Sequence, residues 1–458
     1  MSNRNAIRNL GDGAFLVGLF TLPWIGFGVI RTATGHDIGT GLQPAVAAFA
    51  VSAAALICDQ GGRSRFIRPW RGIWSWALLA LLVSALGIRV AGSGVDSALV
   101  WGRFARQILQ WLVMAVITLL TAERLRRPSL HGPALIALSA GMVFQLLYGM
   151  IQVVDFQHPL GWFHSLETVF TSNPAILSGS EELYLGHGFT GIPRVRGTAC
   201  EPLYLGNYLL LVLPFLCIAA LQRRRWLVLV VAALGLLAAT WSRGAWLAGG
   251  VAIVAALLLA GRMGVRFSRR SLGVSAGVLI GGGIILALLA GPEALGLLVA
   301  RLRQSLIWED WSNLTRLYSM QAAWRAFLAS PVVGIGWGQF GYHYYALVDA
   351  KGLQAQFDWP VVNNVPLKIL CETGILGFTV FLVGFGTLAR RVWSALSPAA
   401  SDCVCETGRW LIVAAAVAVV GVWGQLLTFS QYQLPHIWVS LGALLAFLPR
   451  TDTGGDPV

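Results

Sequence analysis

Charged residues are scarce in this chain of 458 residues: they make up 12% of it, whereas 56% of the residues are hydrophobic. A soluble globular domain carries about 25% charged residues. Apolar runs of about 20 residues, the length with which a helix crosses a bilayer, recur along the sequence. The composition therefore excludes an ordinary soluble domain. It predicts an all-α polytopic membrane protein in which residues 1–458 form a single transmembrane domain.

Lysine is nearly missing, since only Lys351 and Lys368 occur, and the net charge of +13 comes almost entirely from arginine. In a soluble protein this charge would suggest nucleic-acid binding. In a membrane protein, arginines in cytoplasmic loops fix the topology, so we expect no nucleic-acid partner. The six cysteines are scattered, without the spacing of a metal site. We therefore expect neither a metal nor a cofactor.

The apolar segments predict about twelve spans, near residues 14–30, 41–58, 72–88, 105–122, 134–154, 203–221, 226–241, 244–261, 273–291, 370–389, 410–428 and 434–448. The first segment lacks a small-x-small cleavage site, so we expect it to be a retained helix. Every second loop is rich in arginine, as at 124–127 and 223–225. Because positive charge concentrates in cytoplasmic loops, both termini are expected to be cytoplasmic.

Two long loops, 155–202 and 292–368, then fall on the outer side of the membrane. Both carry cations, which are normally disfavoured there. They are Arg194 and Arg196 in the first loop, and Arg301, Arg303, Arg316, Arg325, Lys351 and Lys368 in the second. Binding of an anionic substrate at the outer face would explain their retention. Arg243 lies in a tight outer link between two spans, where a charge is costly unless it faces a cavity or a partner. Snorkelling of Arg243 to lipid headgroups is the alternative.

The second loop contains a predicted amphipathic helix that ends at Pro331. Its apolar stripe consists of Leu317, Met320, Trp324, Phe327 and Leu328. We expect this helix to lie on the outer surface or to cap a cavity, with the stripe used for packing. The glycine-rich segment 334–340 lacks the lysine and the preceding strand of a phosphate loop, so its glycines are interpreted as turn residues.

Three segments, in this order and spacing, resemble the O-antigen ligase and polymerase superfamily. The first is RGTACEPLYLGNY at 196–208, and the second is SRGAWL at 242–247. The third runs from Arg316 through Pro331 and the glycine-rich segment to Asn363, followed by Gly374 and Gly377. The resemblance implies a GT-C-like membrane glycosyltransferase of the bacterial inner membrane, with loops 155–202 and 292–368 forming a periplasmic active-site cap that holds amphipathic helices. The implied donor is a polyprenyl-pyrophosphate-linked glycan. The implied acceptor is a glycan on a lipid carrier or lipid A-core, and a chain-length regulator is a candidate partner.

By this resemblance, Arg243 and Arg316 match the two arginines expected at the leaving pyrophosphate, where guanidinium groups bind phosphate bidentately and stabilise developing charge. The other substrate-binding candidates are Arg194, Arg196, Arg325, His343, Asn363 and Asn364. The ligases carry a histidine where this chain has Asn363, and an asparagine cannot accept a proton. Glu201 is therefore the favoured general base, with Asp358 and His343 as alternatives. The other interpretation of Glu201 is a helix-start carboxylate before Pro202.

These features favour a polymerase that joins lipid-linked repeat units, with inversion at the anomeric carbon and without a metal. An O-antigen ligase with a different base is the alternative within the same class. A twelve-span secondary transporter is the alternative from another class. It is disfavoured because the chain shows no half-repeat and its polar residues cluster at one face rather than at the midplane.

Overall fold

A computed structural model describes residues 2–29, 43–58, 72–91, 94–171, 194–265, 311–347, 360–400 and 405–449, with a few isolated residues between 277 and 303. This part of the chain is helical. Its α-helices are α1 Ser2–Phe20, α2 Pro44–Cys58, α3 Ile73–Val83, α4 Ala85–Ala91, α5 Ser97–Leu125, α6 His131–Gln157, α7 Phe163–Phe170, α8 Pro202–Gln222, α9 Leu227–Ala239, α10 Arg243–Arg262, α11 Trp311–Ala329, α12 Phe340–Leu347, α13 Val365–Ala395, α14 Glu406–Gln425 and α15 Pro435–Phe447.

Six of these helical segments are long and apolar enough to cross a bilayer, among the residues that the structure describes. They are Ser97–Leu125, Pro128–Gln157, Pro202–Gln222, Arg243–Arg262, Val365–Ala395 and Glu406–Gln425. Shorter apolar helices occupy Pro44–Cys58, Ile73–Arg89 and Pro435–Phe447. The chain is therefore a multi-pass membrane protein. The full number of twelve spans stays a prediction, and the predicted span at 273–291 lies for the most part outside the described residues.

The first helix differs from the predicted span at 14–30, because α1 begins at Ser2 and ends at Phe20. Its early polar residues have a packing role that hydropathy does not reveal. The Asp12 carboxylate lies 2.7 Å from the Arg124 guanidinium and also pairs with Arg127. Arg124 further donates to the Ser52 carbonyl of α2 at 2.8 Å. This ion cluster ties α1 and α2 to the arginine-rich end of α5.

The core of the bundle is formed by α8, α14 and α15, which pack on one another and on α5 and α10. Residues 311–347 form a second, smaller core against the start of α13. This core consists of Ala322, Ala323, Ala326, Ile335, Phe340, Tyr344, Val362 and Cys371. The glycine-rich segment between α11 and α12 adopts positive φ at Gly334, Gly336 and Gly338, in agreement with its interpretation as a turn.

The start of α13 is kinked, and the kink positions this smaller core. Gly374 has φ 63° inside the helix. A Cβ on Gly374 would lie 2.3 Å from the Val332 carbonyl oxygen and 2.6 Å from the Gly334 nitrogen. The turn after α11 therefore packs backbone to backbone against α13, and only glycine permits this approach.

The predicted apolar stripe of α11 is a packing face only in part: Phe327 packs against the smaller core, and Leu317 and Met320 are half-buried. Trp324 is 50% exposed and Leu328 is 60% exposed. Ala322, Ala323 and Ala326 are fully buried instead. The reason is the close approach of α11 to α13, which only small side chains allow. Trp324 and Leu328 therefore face outward, where a lipid or interfacial environment would suit them.

Candidate functional site

The segment 194–201, which opens the first motif, is held in place by two glutamines of α6. Gln145 accepts a hydrogen bond from the Thr198 backbone nitrogen at 2.8 Å and donates to the Thr198 hydroxyl at 2.9 Å. Gln152 accepts one from the Gly197 nitrogen at 3.0 Å. The Val195 nitrogen donates to the Ala239 carbonyl at 3.0 Å. This segment is thereby fixed between α6 and the end of α9.

Arg196 forms a short ion pair with Glu167 of α7. Its side chain is only 5% exposed, and that of Glu167 is 13% exposed. Burial raises the pKa of the Glu167 carboxyl, and the Arg196 charge and a hydrogen bond from Gln152 oppose that rise. These contacts favour a structural role for Arg196, joining the two parts of loop 155–202. Its role in substrate binding stays a prediction.

Glu201 lies directly before α8, and Pro202 occupies the first helical position, which suits its fixed φ and missing N–H. The Glu201 side chain makes no capping hydrogen bond to the helix. Burial raises the pKa of its carboxyl, while the charge of Arg194 and a hydrogen bond with Tyr204 lower it. A carboxyl with a raised pKa is a better proton acceptor than an ordinary glutamate. Glu201 is therefore not explained as a simple helix cap.

Arg243 begins α10 and is buried, at 7% exposure. Arg194 lies close by, because its Nε donates to the Thr240 carbonyl at 3.3 Å. Two non-glycine residues of the described chain have positive φ: Cys200 at 66°, next to Glu201, and Trp241 at 52°, two residues before Arg243. Such strain clusters at functional sites. The first two motifs therefore meet at one end of the bundle, in strained turns.

The third motif reaches the same end through the connection between α14 and α15. The Asn364 side chain donates to the Leu427 carbonyl at 3.2 Å. A Cβ on Gly244, the residue after Arg243, would lie 2.5 Å from the Thr428 hydroxyl. Residues 427–428 therefore contact the start of α10 and the start of α13 together. The motifs, which lie far apart between residues 196 and 364 of the sequence, are connected through residues 427–428.

Asn363 and Arg316 are brought together by one serine. The backbone and side-chain nitrogens of Asn363 donate to the Ser319 hydroxyl at 3.3 and 3.4 Å. That hydroxyl donates to the Arg316 carbonyl at 2.9 Å. Asn363 therefore contacts α11 one helical turn after Arg316, and its side chain has no proton-accepting group of its own.

The remaining predicted site residues have local structural contacts. The Asn364 side chain caps α13 by accepting a hydrogen bond from the Leu367 nitrogen at 2.8 Å. Arg325 is exposed and donates to the Leu347 carbonyl at the end of α12, at 2.6 Å. His343 of α12 is half-buried, and burial lowers its pKa against the opposing charge of Glu372. Asp358 lies outside the described residues. For Arg325, His343 and Asn364, substrate binding stays a prediction.

A buried series of hydrogen-bonded polar side chains below the site was not predicted from the sequence. His436 Nε2 donates to Asn207 Oδ1 at 2.9 Å, because the Asn207 amide nitrogen donates to Gln425 Oε1 at 3.0 Å. Gln425 donates in turn to the Leu203 carbonyl at 3.1 Å. All three side chains are fully buried. Polar residues inside apolar helices are the signal that could have indicated this series. It fixes α8, with Glu201 at its start, against α14 and α15.

One comparison with known proteins gives a match. Residues 227–382 match a family model described as O-Antigen ligase. The match spans α9 to α13 and contains Arg243, Arg316 and Asn363. This part of the chain, less than half of its length, is therefore similar to the O-antigen ligase and polymerase superfamily. None of the curated proteins compared with the chain matches it.

Proposed function

We propose that this protein polymerises polyprenyl-pyrophosphate-linked oligosaccharide repeat units into O-antigen or exopolysaccharide. The observation that carries the proposal is the meeting of Glu201, Arg194 and Arg243 in two strained turns, joined to Asn364 through residues 427–428. This arrangement supplies a carboxylate with a raised pKa beside Arg194, and the buried Arg243 lies in the neighbouring turn. Transfer of a glycan from a lipid-pyrophosphate donor with the help of a general base needs both a carboxylate and guanidinium groups.

Arg243 and Arg316 would bind the donor pyrophosphate. A guanidinium group stays charged when partly buried and forms parallel hydrogen bonds to phosphate oxygens. As the bond between the anomeric carbon and the phosphate oxygen breaks, negative charge grows on the leaving polyprenyl pyrophosphate, and these arginines stabilise it. No nucleotide sugar and no metal take part in this scheme.

Glu201 would act as the general base. The acceptor hydroxyl attacks the anomeric carbon, its proton passes to the Glu201 carboxylate, and the electron pair of the broken bond leaves with the pyrophosphate. Direct attack of this kind inverts the configuration of the anomeric carbon. The Asn363 side chain cannot perform the proton transfer, and this departure from the ligases favours the polymerase.

The proposed setting is the bacterial inner membrane. The arginine-rich end of the bundle, which holds Arg124 and Arg127, would face the cytoplasm together with both termini. The opposite end, with Glu201 and Arg243, would face the periplasm. Loops 155–202 and 292–368 would cover the site there.

The test uses purified protein in nanodiscs with a synthetic polyprenyl-pyrophosphate repeat unit as the only substrate. The parent protein should give a ladder of products on a gel. Arg243→Ala, Arg316→Ala and Glu201→Gln should each abolish the ladder while retaining the elution volume and melting profile of the parent. A ladder that persists in both arginine variants would exclude the proposed pyrophosphate site.

The alternative is an O-antigen ligase, which the description of the matching family model favours. The same experiment separates the two activities. Transfer that occurs only after lipid A-core is added, with no ladder in its absence, would make the protein a ligase. It would also require a proton acceptor that replaces the ligase histidine.

A further inference from the structure

The helix α11 and the turn after it run beside the first part of α13 in the same direction. The Asn363 nitrogen donates to the Ser319 hydroxyl of α11, and the Leu376 nitrogen donates to the Val332 carbonyl of the turn at 3.3 Å. The residue numbers differ by 44 in both contacts. The two segments therefore keep one register over about three turns. Each residue of α11 lies level with the residue 44 positions later.

This register gives α11 a depth in the membrane, because α13 is long and apolar enough to cross it. The predicted span 370–389 of α13 ends before Arg390, on the arginine-rich side. Leu376 therefore lies about six residues, or about 9 Å, inside the opposite border of the apolar layer. Val332 lies at the same level. Trp324, about two turns earlier on α11, lies close to this border, where tryptophan is enriched in membrane proteins.

The outward side of α11 continues the outward side of α13. No residue of α13 between 365 and 374 is exposed, and exposure begins where the turn after α11 ends. α11 therefore covers the first part of α13 and presents its own side chains in that place. The resulting surface, here called the α11–α13 face, consists of five residues that are each about half exposed. They are Trp324, Leu328, Val332, Ile375 and Leu376.

The exposed residues of α11 change from polar to apolar along the helix. Gln321 and Arg325 are exposed above the border, and the Arg325 guanidinium donates to the Leu347 carbonyl at 2.6 Å. After Arg325, the exposed residues of α11 and its turn are Leu328, Ala329, Pro331 and Val332. The exposed residues of α13 from 375 to 389 are uncharged as well. A contiguous apolar surface of this kind is uncommon in water. The change falls at the border that was counted on α13.

The turn after α11 satisfies its backbone hydrogen bonds within the protein. The backbone nitrogens from Gly334 to Trp337 all donate to protein acceptors. These acceptors are the carbonyls of Ser330, Cys371 and Glu372 and the hydroxyl of Ser84. At the kink of α13, the nitrogens of Ile375 and Leu376 donate to carbonyls of the turn. Residues 334–340 are all buried. Irregular backbone is tolerated at membrane depth only under these conditions.

We propose that α11 and the turn after it form a re-entrant element in the outer leaflet, the leaflet remote from Arg390. The hydrocarbon chains of bilayer phospholipids cover the α11–α13 face. α11 then neither lies flat on the membrane surface nor stands above it. The family match includes α11 but gives no depth for it. Arg316, about two turns before Trp324, is anchored on the polar side of the border.

The first experiment measures depth with a nitroxide spin label and requires no activity. Val332→Cys, Leu328→Cys, Gln321→Cys and Leu382→Cys are made in a variant without the six native cysteines that keeps the elution volume and melting profile of the parent. Gln321 is the matched control, since it is exposed on the same side of α11 about three turns before Val332. Leu382 is an exposed residue farther along α13. Each label is exposed to O2, which concentrates in hydrocarbon, and to a water-soluble nickel chelate.

In phosphatidylcholine nanodiscs, labels at Val332→Cys and Leu328→Cys should collide with O2 several-fold more than with nickel, as at Leu382→Cys. The preference should be reversed at Gln321→Cys. Equal collision with nickel at Val332→Cys and Gln321→Cys would place the face in water and overturn the proposal. Exclusion of both reagents at Val332→Cys would mean that protein covers the face, which would overturn it too. Spin–spin broadening would then identify a second copy of the chain.

The second experiment uses the parent protein without any substitution. Phosphatidylcholine with a diazirine within one acyl chain is included in the nanodiscs, and the residues labelled by light are identified by mass spectrometry. Leu328, Val332 and Leu376 should be labelled about as well as Leu382, and Gln321 should not. Labelling of Leu382 alone would overturn the proposal. Loss of label from Leu328 and Val332 on addition of equimolar polyprenyl pyrophosphate would assign the face to a substrate chain instead of phospholipid. Neither experiment depends on the proposed function.

Discussion

Asn363 donates two hydrogen bonds to the hydroxyl of Ser319, from its backbone at 3.3 Å and from its side chain at 3.4 Å. The same hydroxyl donates to the carbonyl of Arg316. A single side chain on α11 therefore connects Asn363 with the backbone of Arg316, a predicted pyrophosphate ligand. Asn363 is positioned by this contact.

Ser319→Ala tests this connection. Removing the hydroxyl leaves the Asn363 donors without their acceptor and loosens the contact of Asn363 with α11, one helical turn after Arg316. We expect KM for the donor to rise several-fold with little change in kcat, measured by initial rates of ladder formation. Asn363→Ala should behave in the same way. A loss of kcat by about a thousandfold in Asn363→Ala would instead show direct participation in the chemistry.

The contribution of Arg243 to the reaction should depend on the paired N–H donors of its guanidinium group as well as on its charge. Arg243→Gln is expected to lower kcat/KM by about a hundredfold or more, as removal of a transition-state donor does. Arg243→Lys keeps the charge but loses bidentate contact, so it should lose about tenfold. The matched control is Arg262→Gln at the opposite end of α10, where Arg262 lies 5.0 Å from the Trp393 ring. Equal losses in Arg243→Gln and Arg262→Gln would mean that the effect is on α10 as a whole.

Much of the fold followed from hydropathy, because apolar helices of about 20 residues are the direct consequence of burying backbone polar groups in lipid. The exposure of Trp324 and Leu328 in the apolar stripe of α11 did not follow from hydropathy. Periodicity identifies an apolar face, but it cannot tell whether protein or lipid covers that face. On α11 the alanines pack inward, and Trp324 and Leu328 face outward. The first part of α1 was missed as well. From the sequence, Asp12 looks like a solvated residue, and only the structure shows its ion pair with Arg124.

Candidate site residues could be proposed from the sequence where a charged residue lies beside an apolar segment. Arg243 and Glu201 lie at the borders of apolar segments, and such positions are costly without a function. The ion pair of Arg196 with Glu167 was not predictable, because 29 residues separate the two and nothing local links them. Gln425 and His436 were missed for the same reason. Their partner Asn207 belongs to a distant helix, and only the packing of α8, α14 and α15 brings them together.

The pH dependence of the reaction should report the ionisation of the Glu201 carboxyl. Its pKa is raised by burial, so the ionised base is lost as pH falls through a value above that of an ordinary glutamate. The Arg194 charge opposes that rise. Arg194→Gln should therefore raise the pKa further and move the acid limb of the kcat/KM profile to higher pH. Arg262→Gln should leave the limb in place. A limb that moves to lower pH in Arg194→Gln would exclude Glu201 as the titrating group.

Gly374→Ala should destabilise the protein strongly. The substitution places a side chain at φ 63° and sets its Cβ 2.3 Å from the Val332 carbonyl oxygen. Strain and collision together should cost at least about 2 kcal/mol. Because large membrane proteins often unfold irreversibly, apparent melting temperatures should be compared at one scan rate. Gly386→Ala, on the same helix with open space around its Cβ, should melt like the parent or slightly higher. Similar melting of the two variants would disprove the close contact of the turn after α11 with α13.

The ion pair of Arg196 and Glu167 offers a test that separates folding from substrate binding. Both side chains are largely buried, so Arg196→Gln leaves an uncompensated carboxylate, at a cost of about 3–5 kcal/mol. Glu167→Gln leaves a buried guanidinium and should cost a similar amount. The double variant removes both charges, and its loss of stability should be clearly smaller than the sum of the single losses. The quantity to measure is the melting temperature of all four proteins, with KM for the donor beside it. If Arg196→Gln melts like the parent but raises KM for the donor, Arg196 is a substrate ligand and not a structural residue.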